Sequence, residues 1–87
     1  MVIKAKKKFT KTFNKTPAKI QLAFTQRVDI FRNNPFDSQL NNHALGGKYQ
    51  GYRSINITGD WRAIFREFNN YKLVSFETLG THSQLYK

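Results

Sequence analysis

Hydrophobic positions change their spacing once along this chain, from helical before Pro35 to strand-like after Gly51. In "KKKFTKTFNK" Phe9 and Phe13 stand four apart among lysines, which predicts a short helix with one apolar face. The next run, "NKTPAKIQLAFTQRVDIFRNNP", carries its own punctuation: Thr16 reads as an N-cap, Pro17 as the first helical residue, and Asn33, Asn34 and Pro35 as the stop. Ile20, Phe24, Val28 and Phe31 recur there at helical spacing, a stripe that so small a domain needs for its core. "FDSQLNNHALGGKYQG" is polar and glycine-rich and reads as loop, with Gly46, Gly47 and Gly51 permitting turns. "YRSINIT", "WRAIFREF" and "KLVSFETL" then read as strands, joined by hairpin turns at Gly59-Asp60 and Asn69-Asn70. In the middle strand Trp61, Ala63 and Phe65 face inward, and Arg62, Ile64 and Arg66 share the other face. With "MVIKA" as an opening strand, the pattern predicts an α+β domain: two N-terminal helices packed on a small antiparallel sheet.

Composition confines this to one domain over residues 1–87, since a chain of 87 residues holds a single modest core and buries about 60–65% of its unfolded surface. Eight Phe, four Tyr and one Trp must supply much of that apolar area. The absence of cysteine excludes disulfides, thiolate nucleophiles and cysteine-based zinc sites, and fits a reducing compartment. No stretch resembles a signal peptide or approaches the length of a membrane span, so a soluble cytoplasmic protein is expected.

Charge adds a partner. Fifteen Lys and Arg against five Asp and Glu leave a net charge of +10, far beyond what solubility requires, and point to a polyanion such as nucleic acid or the ribosome. Membrane-surface binding would need a basic helix whose apolar face is free of core duty, and the helices here are needed for packing.

One face of the meander is where candidate chemistry is expected to sit, although spacing alone does not prove convergence. Arg53, Arg62 and Arg66 lie in the strands, Glu77 in the last strand, His82 just beyond it, and His43 and Lys48 in the preceding loop. Together they offer cations for phosphate and an imidazole for proton transfer, with Tyr86 for stacking. Each has a structural alternative: His82 as the cap of a short C-terminal turn, Asp60 as a turn former or arginine partner, Trp61 as packing.

Four short motifs stand in order over Leu40 to Tyr86: "HALGG" at His43, "GYR" at Gly51, "GDWR" at Gly59 and "GTHSQLY" at Gly80. In these the chain resembles the RelE superfamily of toxins from type II toxin–antitoxin systems, nearest to its YafQ-like branch. The resemblance implies a RelE-like fold and a ribosome-dependent endoribonuclease that cuts messenger RNA in the A site, without metal or other cofactor. By position it implies His43, Asp60 and His82 as the acid/base set, with His82 donating a proton to the leaving 5′-oxygen. It implies Trp61 and Tyr86 as residues that shape the site or hold bases. Lys48, Arg53 and Arg62 are the cations that charge and placement offer to phosphate. One position departs: relatives carry a further histidine before the "GDWR" turn, where Asn56 stands here, so either His43 acts as base or catalysis is slower, and activity is expected to survive. A cognate antitoxin and a monomeric free toxin are expected. Two other readings stay open, a same-fold toxin that poisons a protein target such as DNA gyrase, and a non-catalytic basic module that binds RNA or the ribosome.

Overall fold

The structure, a computed structural model, describes residues 1–86. Strand β1 (Val2–Ala5) leads into helices α1 (Lys7–Asn14) and α2 (Ala18–Asn33). Strands β2 (His43–Ala44), β3 (Arg53–Thr58), β4 (Trp61–Phe68) and β5 (Leu73–Thr81) follow, and the short helix α3 (His82–Leu85) comes last. The sheet has five strands in the order β1-β5-β4-β3-β2, with β1 parallel to β5 and every other pair antiparallel. The expected meander is therefore its centre. β1 borders it on one side, and β2, from a segment read as loop, adds a two-residue edge on the other.

Helices α1 and α2 cover one sheet face. Phe9 of α1 packs against Phe24 and Phe76 with tilted rings, centroids 5.2 and 5.5 Å apart, and Phe31 of α2 is fully buried against Phe65 at 5.2 Å. From the sheet, Ile55, Ile57, Ala63, Phe65, Val74, Phe76 and Leu79 enter the same cluster. The helix junction corrects the sequence reading. Thr16 does not cap α2; its hydroxyl donates to the Phe13 carbonyl at 2.7 Å and closes α1. Pro17 takes the N-cap position, its carbonyl accepting from the Ile20 and Gln21 N–H groups, and the helix starts at Ala18.

The apolar positions of β5 are 74, 76 and 79, which break a period of two. Pairing with β4 accounts for the break: Ile64 opposes Thr78 and Phe65 opposes Phe76, so Glu77 is an extra residue in a β-bulge. The bulge keeps Val74, Phe76 and Leu79 under α1 and α2 while Thr78 and Gly80 join Ser75 on the opposite face. Two cross-strand rows result on that open face, His43–Ser54–Ile64–Thr78 and Asn56–Arg62–Gly80.

Candidate active site

Helix α3 folds over the open face because Gly80 has no side chain to hold it off: a Cβ there would lie 3.0 Å from Gln84 Oε1 and 3.4 Å from Leu85. Buried Leu85 anchors the helix. A reciprocal capping box fixes its start, with Gln84 N–H donating to Thr81 Oγ1 and Thr81 N–H donating to Gln84 Oε1. His82, the first helical residue, donates its backbone N–H to the Asp60 carbonyl at 3.0 Å, which ties the helix to the β3–β4 turn. Its exposed imidazole lies 4.7 Å from the Tyr86 ring, one helical turn on. A Gly80→Ala change is expected to displace α3 by a few tenths of an ångström, weaken the capping box by about 1 kcal/mol and lower activity about tenfold. Thermal unfolding beside an activity assay checks both effects.

His43 is set from the other side. Its Nδ1 lies 2.8 Å from the Asn41 carbonyl, and because a carbonyl only accepts, that nitrogen carries the proton. In the neutral ring Nε2 then holds a free lone pair. Asn41 adopts a left-handed conformation (φ 46°), and Asn42 locks the chain beside it. The Asn42 amide donates to the Pro35 carbonyl and the Tyr71 hydroxyl and accepts from Arg53 Nε at 2.8 Å.

Between the two histidines lies a cleft of about 300 Å³ lined by residues that include His43, Ser54, Arg62, His82 and Tyr86. Arg62 donates through one terminal nitrogen to the Gly59 and Trp61 carbonyls, at 2.8 and 2.9 Å, which leaves part of its guanidinium fork for a phosphate. Among the described residues, the buried Ser54 hydroxyl and Asn56 Oδ1 have no hydrogen-bond partner, and both belong to the rows beneath this cleft. Tyr49 meets Tyr86 edge-on with centroids 6.0 Å apart. Burial first, then the neighbouring Tyr86 and Glu77, push its phenol above the ordinary tyrosine value.

Not every candidate converges. Arg53 pairs in register with Phe65 and so points to the helix-covered side, where it holds Asn42 and lies over Phe36 at 5.6 Å; it positions the His43 segment instead of meeting phosphate. Trp61 packs against the core cluster beside Ile20 and Ala23, away from any base in the cleft. Asp60 is exposed and serves His82 through its carbonyl, while its carboxylate does not line the cleft. Lys48 sits over the Tyr49 ring, 5.3 Å from its centroid, and does not line the cleft. Asn41, Tyr49 and Ser54 escaped the sequence reading. Only Ser54 left a signal there, as a polar residue in alternation with Asn56 on the strand after His43.

Known proteins share the sequence pattern and the fold of this chain. A 52-residue stretch is 35% identical to the mRNA interferase toxin YafQ of Escherichia coli K12, covering 60% of this chain and 54% of that protein. The match thus spans about half the length of that relative. The crystal structure of YafQ from E. coli BL21(DE3) superposes with a TM-score of 0.81 over 98% of this chain and 97% of that one, at 24% identity. The archaeal RelE–RelB complex of Pyrococcus horikoshii OT3 gives 0.74 at 20% identity, covering 95% and 96% of the two chains, so the fold is of the RelE type. The family model for YafQ, the bacterial toxin of a type II toxin–antitoxin system, matches residues 1–87, and the chain belongs to that family.

Proposed function

We propose that this protein is an endoribonuclease that cuts messenger RNA in the ribosomal A site and is held inactive by a cognate antitoxin. The observation that carries the reading is the delivery of His43 and His82, from a sheet edge and from the chain's end, to one cleft that also holds Arg62 and Tyr86. The family supplies the toxin role, and the net charge of +10 suits both RNA and an acidic antitoxin segment.

In this mechanism the ribose 2′-hydroxyl attacks the adjacent phosphorus. The new P–O bond forms as the bond to the 5′-oxygen breaks, leaving a cyclic phosphate and a free 5′-hydroxyl. His43 Nε2 takes the proton of the attacking hydroxyl, and protonated His82 gives one to the leaving oxygen. Arg62 faces the charge that builds on the phosphorane, and Tyr86 offers a ring to a base. The free toxin is a monomer and works in the cytoplasm; among the described residues no helix is long and apolar enough to cross a membrane.

Mapping message ends after brief expression, in cells and in a purified translation system, tests the reading. Cuts inside translated frames that need ribosomes are expected. Intact messages with arrested growth would instead indicate a protein target, and intact messages without arrest a non-catalytic binder. In the same assay His43→Ala should slow cutting about 10²-fold, while Asn56→His should change it less than about tenfold. The reverse pattern would move the base to position 56.

A further inference from the structure

The open face does not end at the cleft. Beyond Tyr86 and Tyr49, Tyr52 meets Tyr49 with centroids 6.4 Å apart, and the Arg66 guanidinium stacks on Tyr52 at 4.4 Å. Arg66, Ser75 and Lys4 then form one cross-strand row from β4 to β1. Lys4, Lys6, Tyr52, Arg66 and Glu77 help line a second cleft of about 230 Å³ on this face. The aromatic rings therefore run from the catalytic cleft to a group of three cations at the far side of the sheet.

We propose that this face is a track for the single-stranded RNA flanking the cut, with Arg66, Lys4 and Lys6 on its phosphates and Tyr49 and Tyr52 as platforms for its bases. The proposal rests on the ribonuclease reading above. Rings next to cations are what a single strand uses, because every base has a face to stack and every step a charge to neutralise. An acidic peptide would use the cations but leave the rings idle. The Glu77 carboxylate repels phosphate and peptide carboxylate alike, but it can also accept from a base amino group. The track is continuous with the cleft through the Tyr49–Tyr86 contact, so one strand can occupy both.

The test is binding of 2′-O-methyl RNA, which cannot be cut, to the full chain by fluorescence anisotropy. Oligonucleotides of about three and about eight nucleotides are compared. The variant K4Q/K6Q/R66Q should bind the longer strand at least about tenfold more weakly, with a salt slope lower by about 2, and the shorter strand as the wild type does. Tyr52→Leu should weaken the longer strand about tenfold without changing the salt slope. The charge-matched K11Q/K15Q/K19Q, on the exposed helical side, should leave both unchanged. Equal losses in the two triple variants would reduce the effect to net charge and overturn the track. So would loss of binding to an acidic peptide with RNA binding intact. If the wild type cuts messages while K4Q/K6Q/R66Q binds RNA normally, the track fails and the ribonuclease reading stands. A wild type that cuts no message overturns both.

Discussion

His82→Gln is expected to slow message cutting by about 10² to 10⁴ and to leave the fold in place. The imidazole is exposed, and what holds residue 82 is its backbone N–H on Asp60 together with the capping box formed by its neighbours Thr81 and Gln84. None of these contacts uses the ring. Glutamine fits a helix's first turn and keeps a polar end near Tyr86, yet it cannot give a proton to the leaving oxygen. Removing a general acid is worth about 10² to 10⁴ in rate, so message ends mapped after expression should fall by that factor. Thermal unfolding should change by less than about 0.5 kcal/mol, as for other surface substitutions. Cutting at the wild-type rate would remove His82 from the mechanism; loss of cutting together with unfolding would make it a structural residue.

Phe31→Ala is expected to have the largest effect on stability. Phe31 is fully buried, and its ring meets Phe65, Tyr71 and Phe76 at 5.2, 6.0 and 6.1 Å, joining α2 to β4, β5 and the turn between them. Truncating a buried Phe costs about 3–5 kcal/mol, while a chain of this length has about 4–13 kcal/mol in total. The variant should lose about a quarter of its stability or more and move toward the threshold of folding at 37 °C. Urea unfolding checks this: the midpoint should fall sharply with the slope unchanged. A small shift would mean that the pocket collapses around the missing ring. Because Tyr71 also bonds Asn42, which lies beside His43, the loss should reach the candidate active site before global unfolding does.

The two helices and the three central strands could be read from the sequence because their signals are local. Phe9 and Phe13, or Ile20 through Phe31, declare a helical face by spacing alone, and "GD" declares a turn by composition. The opening strand was legible in "MVIKA", but its parallel place beside β5 was not, and the two-residue β2 was not legible at all. β1 exists as a strand of this sheet only because β5 lies beside it, and His43–Ala44 pair with Ser54 and Arg53 across a loop whose own residues favour no strand. The helix junction misled for a related reason. Thr16 can cap α2 or close α1, and the choice depends on where the Phe13 carbonyl ends up.

Within the candidate site the division runs between residue type and residue face. The sequence by itself determined that the domain is α+β and strongly basic, and through its ordered motifs which family it joins, since composition, periodicity and motif order need no neighbours. It also singled out His43, Arg62, His82 and Tyr86 as chemistry-bearing residues. Only the tertiary structure decided which of the candidates share a cleft. Arg53 and Arg62 look alike in the chain, yet strand register turns one toward the helices and the other toward open solvent. The bulge at Glu77 sends Gly80 to the open face, and α3 can carry His82 over the sheet because that residue lacks a Cβ. A period of two assigns faces until one extra residue reverses it, and whether a bulge forms is settled by the packing of both faces at once.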